Sequence, residues 1–171
     1  MTRYIAFLRG VNVGGVNLKM AEVVNAMEAA GFTEVRTVLA SGNVLLDSAS
    51  TAAKVRTTAE RALRDAFGYE AWVLVYDLAT LQRISEKYPF EREVPDHHSY
   101  VTFVSDAEIL DELAGLPPGH GEKVQRGDGV LYWQVPRAAT LDSTIGKTMG
   151  KKRYKSSTTT RNLRTLDKVL R

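Results

Sequence analysis

The chain has no cysteine. Disulfides, thiol nucleophiles and thiolate metal sites are therefore excluded, and the expected setting is cytoplasmic. It has no apolar run near the ~18 residues that a membrane-spanning helix needs, so no membrane partner is expected. The opening segment MTRYIAFLRG has a short apolar part and no small-residue cleavage site, and reads as a first strand rather than a signal peptide. Histidine is scarce. His97, His98 and His120 lack the spacing of a metal site and fall in expected linkers or loops, so no metal is assigned. There is no G-x-S-x-G elbow, and no acidic pair is placed for general acid–base work. No catalytic residue and no cofactor are assigned.

What remains is an ordinary globular composition: 171 residues, 44% hydrophobic and 25% charged. At this length folding buries roughly 70% of the unfolded chain's surface, enough for a core without cross-links. The net charge of +3 is unevenly spread. Residues 1–136 carry 13 Lys/Arg against 18 Asp/Glu, whereas residues 137–171 carry 10 against 2. A basic segment of this kind attracts acidic partners, or it is a solvated face paired with acids elsewhere in the chain.

Hydrophobic periodicity divides the chain into two similar halves. Tyr4–Leu8 reads as a strand. Leu18, Met20, Val23, Met27 and Ala30 recur at helical spacing, with Asn17 as N-cap and Gly31 past the end. Val35–Leu39 and Val44–Leu46 read as strands joined by the ASGN turn. A helix is expected over Thr51–Phe67 and a strand over Ala71–Tyr76. Asp77 then caps a short helix, and a polar linker carries Pro89 and Pro95. The pattern restarts with the strand YVTFVS and a helix over Asp106–Ala114. EKVQR and VLYWQV follow as strands joined through GDG. A helical segment near Thr140–Met149, a weak strand near Ser156–Thr159 and a closing helix complete the chain. The expected fold class is α+β: two ferredoxin-like βαββαβ subdomains with antiparallel sheets, arising by internal duplication. Residues 1–88 form the first with its connecting helix, 89–98 a linker, and 99–171 the second with its closing helix.

The stretches LRGVNVGGVNLKM, VRTVLASGNVLLDS, YPF and TTTRNLRTLDKVL, in this order, resemble the bacterial family known as domain of unknown function 1697. The resemblance implies a pair of ferredoxin-like subdomains and, because the family has no established activity, no particular reaction. The closing segment departs from the family's usual TRNWNT: Leu163 and Arg164 follow Asn162, so an aromatic residue is missing.

The loop after the first strand is glycine-bearing, yet it is no known phosphate loop. Gly10 and Gly15 have Walker spacing but are followed by Val16 and Asn17, and Gly10, Gly14 and Gly15 do not form G-x-G-x-x-G. Topology supplies a different argument. In a βαββαβ sheet the loop leaving strand one and the hairpin between strands two and three share an end. That places Arg9, Gly10, Asn12, Gly14, Gly15 and Lys19 near Ser41, Gly42 and Asn43. Arginine offers a fixed donor fork to phosphate or carboxylate, so an anionic small molecule is the expected partner. Turn chemistry alone is the competing reading of the glycines and of SGN. One alternative is a nucleic-acid-binding module using Lys147, Lys151, Lys152, Arg153, Lys155, Arg161 and Asn162. Another is an enzyme whose chemistry sits at the same loop end. Aromatic stacking on an open sheet is weakly signalled, because Tyr132 and Trp133 point to opposite faces of one strand.

Overall fold

The structure, a computed structural model, describes residues 1–9, 17–39, 42–119, 121–137, 148 and 151–171, without the side chain of Lys152. It divides into two units, Met1–Leu81 with Lys168–Arg171, and Gln82–Asp167.

The first unit follows the β-α-β-β-α-β order: β1 Thr2–Leu8, α1 Met20–Ala29, β2 Thr33–Thr37, β3 Asn43–Ser48, α2 Ala52–Phe67 and β4 Val73–Asp77. Its antiparallel sheet has the order β2-β3-β1-β4. Alternation along β1 sends Tyr4, Ala6 and Leu8 to the helix side. There they pack with Val44 and Leu46 of β3, Val23 and Met27 of α1, and Val55, Ala59 and Leu63 of α2. Ile5, Phe7, Leu45 and Leu74, on the other face, are equally buried. The ends of α2 follow from local chemistry. The Thr51 hydroxyl accepts from Lys54 N at 3.3 Å, and Gly68 closes the helix at φ 67°. In α1 the cap is Lys19 rather than Asn17. Lys19 is extended at φ −80° and ψ 126°, and its carbonyl accepts from Glu22 N and Val23 N. Strand β2 shifts register against β3 between Thr33 and Arg36, where Glu34 takes φ 49°.

The second unit holds the end of α3 (Leu78–Glu86), then β5 His97–Val104, α4 Ala107–Ala114, β6 Lys123–Arg126 and β7 Val130–Pro136. A 3-10 turn at Lys152–Tyr154, β8 Thr158–Asn162 and most of α5 (Leu163–Val169) complete it. The sheet order β6-β7-β5-β8 repeats that of the first unit, and every pairing is antiparallel. The helix expected near Thr140–Met149 lies outside the described residues except for Thr148, which is helical. Two expectations shift. The weak strand near Ser156 is β8, which begins at Thr158 and runs on to Asn162. His97 and His98, expected in the linker, open β5, because β7 is long enough to pair His97 with Pro136 and His98 with Val135.

Both aromatics of β7 are buried. Trp133 donates from Nε1 to the Thr102 hydroxyl at 2.9 Å, and the Tyr132 hydroxyl donates to the Ile84 carbonyl at 2.7 Å. Neither ring is presented for base stacking, and each buried polar tip has its hydrogen bond.

Candidate functional site

The end of β1 is where the sequence analysis expects a ligand, and the described backbone there is closely tied. Leu8 N donates to the Gly42 carbonyl at 2.8 Å, and Arg9 N donates to the Trp72 carbonyl at 3.0 Å. The residue that leaves β1 therefore stands between the β2–β3 turn and the start of β4. Gly42 sits at φ 89°, a conformation that side-chain-bearing residues rarely adopt. Arg9 is half-buried, and burial holds its guanidinium below the ordinary arginine pKa. Asn43 has a different part from the one its polarity suggests. It is fully buried, and its Nδ2 donates to the Val38 carbonyl at 2.8 Å while Val38 N donates back to the Asn43 carbonyl at 2.9 Å. Its side chain shapes the turn rather than facing solvent. Lys19 is exposed and forms no ion pair among the described residues. Gly10, Asn12, Gly14, Gly15 and Ser41 lie outside the described residues.

The basic C-terminal segment is divided by its surroundings. Lys151 and Lys155 are exposed. Arg153 is also exposed, and it forks onto Glu112, with Nη2 at 2.8 Å from Oε1 and Nε at 3.2 Å from Oε2. Arg161 is buried in β8, where Nη1 donates to the Thr159 hydroxyl at 2.7 Å and the Thr160 carbonyl at 2.9 Å. Asn162 caps α5, its Oδ1 accepting from Thr165 N at 2.8 Å and from the Thr165 hydroxyl at 2.9 Å. Lys147 lies outside the described residues, as does the side chain of Lys152.

Residues 1–132, more than half of the chain, match the family described as protein of unknown function (DUF1697). The chain belongs to that family. The match includes the β1 loop and the SGN turn, and stops short of the closing segment. No curated protein matches. Among solved structures, a conserved bacterial protein from Streptococcus pneumoniae is similar at a TM-score of 0.82 and 21% identity, covering 99% of this chain and 96% of that one. At that identity the likeness speaks for the fold alone.

One constellation in this DUF1697 member escaped the sequence reading. A cavity of about 370 Å³ in the second unit is bounded by Arg92–Pro95, His97–Ser99, Arg137 and Asn162–Arg164. Sheet pairing builds it. β5 lies between β7 and β8, with His98 opposite Val135 and Tyr100 opposite Asn162. Arg137 N donates to the Asp96 carbonyl at 2.7 Å, which ties the end of β7 to the approach to β5. His98 is held below its ordinary pKa, first by burial and then by the charges of Arg137 and Arg164.

Proposed function

We propose that the first unit binds a small ligand bearing a phosphate or carboxylate at the end of β1, with Arg9 as the gripping cation and the Gly42 turn as the opposite wall. The observation that supports this reading is the 2.8 Å bond from Leu8 N to the Gly42 carbonyl, which brings the end of β1 to Gly42, with the half-buried Arg9 next in the chain. A half-buried guanidinium presents a fixed donor fork that suits a phosphate or carboxylate. The glycine in the turn lets a ligand approach the backbone closely. An enzymatic reading of the same end shares this ligand. The repeated strand order supports an origin of the two halves by duplication of one βαββαβ unit. A nucleic-acid reading of residues 147–164 is less favoured, because Arg153 is neutralised by Glu112 and Arg161 is buried.

The test is calorimetric titration of the full chain and of Arg9→Ala with inorganic phosphate, citrate and mononucleotides. Saturable binding of at least one of them is expected, weakened roughly tenfold or more in Arg9→Ala, as loss of a charge-assisted bond implies. The circular dichroism spectrum is expected to stay unchanged. Equal affinity of the two proteins for every ligand that binds would overturn the assignment.

A further inference from the structure

The cavity of the second unit has the size, charge and donor set of a binding site in its own right. At about 370 Å³ it falls in the range of small-molecule pockets, roughly 300–1,000 Å³. Among the described residues, three arginines line it against one glutamate, Glu93. Arg92 is already engaged, donating to Asp167 at 3.1 Å and to the Ser85 carbonyl at 2.8 Å. Arg164 has no carboxylate within ion-pair distance among the described residues. It and Arg137 both act on the half-buried His98. Guanidiniums around one cavity raise the local concentration of anions there. Asn162 adds neutral donors. Thr165 N is donor-only, so the cap fixes Oδ1 as the acceptor and leaves the Nδ2 hydrogens for another group. Val94, Pro95 and Leu163 supply apolar lining that an inorganic oxyanion alone does not need.

We propose that this cavity binds a small organic anion, its phosphate or carboxylate head held by Arg137, Arg164 and Asn162 and its organic body against Val94, Pro95 and Leu163. The site is separate from the one at the end of β1. It lies wholly in the second unit and shares no residue with that end. The residues come from three segments whose backbones strand pairing holds near one another.

The experiment is a ¹H–¹⁵N NMR titration of the full chain with phenyl phosphate, benzoate, inorganic phosphate and phenol. Phenyl phosphate or benzoate is expected to give saturable shifts at the amides of His98, Ser99, Arg137, Asn162 and Arg164, whereas phenol gives none. Arg164→Gln and Arg137→Gln are each expected to weaken binding roughly tenfold or more. Glu93→Gln is expected to tighten it, and Arg9→Ala to leave it unchanged. The imidazole of His98 is expected to titrate at higher pH when the anion is bound, because the anion offsets the two guanidiniums. A merely structural role for these arginines would not produce that change. The proposal is overturned if neither organic anion shifts those five amides, or if both arginine variants bind as the parent does. Equal affinity for inorganic phosphate removes the organic part of the assignment. Failure of Arg9→Ala to alter binding at the first unit leaves this result untouched, so the two sites are judged separately.

Discussion

Gly42 carries two constraints at once: a φ of 89°, and a carbonyl that accepts from Leu8 N. A side chain at this φ is strained, so Gly42→Ala is expected to cost about 1–2 kcal/mol in urea denaturation. An unchanged midpoint would show that the turn relaxes freely. The sequence offered turn chemistry and ligand contact as rival readings of SGN. Asn43 illustrates the turn chemistry: a fully buried amide must find internal partners, and it finds the Val38 carbonyl. His98 shows where residue patterns are silent. Beside Pro95 and Asp96 it looks like linker, and nothing nearby in sequence marks Arg137 or Arg164 as its neighbours. The lowered pKa has a testable sign. The unfolded chain takes up a proton near pH ~6.5, and the folded imidazole resists it. Stability contributed by neutral His98 is therefore fully present above the unfolded pKa and is lost as pH falls toward the folded value. His98→Gln is expected to flatten the fall in stability between pH 7 and pH 5, as measured by denaturant midpoints at each pH. An unaltered slope would place the sensitivity elsewhere.

At the level of elements the sequence was most informative where local chemistry decides. Asp106 was expected to open a helix, and its carboxylate accepts from Glu108 N at 2.9 Å and Ile109 N at 3.3 Å at the head of α4. Asp77 likewise accepts from Thr80 N at 2.8 Å and from its hydroxyl at 3.0 Å. Asp106→Ala is expected to cost about 0.5–2 kcal/mol, the usual loss for an N-cap. Thermal unfolding checks this, and Asp106→Asn, which keeps an acceptor, should recover most of it. Periodicity also found α2, whose Val55, Ala59 and Leu63 form a single buried stripe. It failed at the start of α1. Asn17 is the better capping residue by type, yet Leu18 and Met20 both pack against the core, and the helix begins after Lys19.

For the whole molecule, the repeated strand order is what made the architecture legible, since the order of elements repeats even though the letters of the two halves differ. The two units divide within α3, between Leu81 and Gln82. The same strand order leaves β2 and β6 at sheet margins. β2 departs from regular pairing at Glu34, and β6 exposes Lys123, Gln125 and Arg126. An irregular margin and a basic one are both poor templates for a strand from another copy. Lys123→Val with Gln125→Val is therefore expected to keep the fold yet raise thioflavin-T fluorescence on prolonged incubation at high concentration, where the parent stays dark. Equal behaviour of the two would assign that protection to other features. On this expectation the register shift of β2 and the cations of β6 would hinder fibre growth, a consequence of edge chemistry alone.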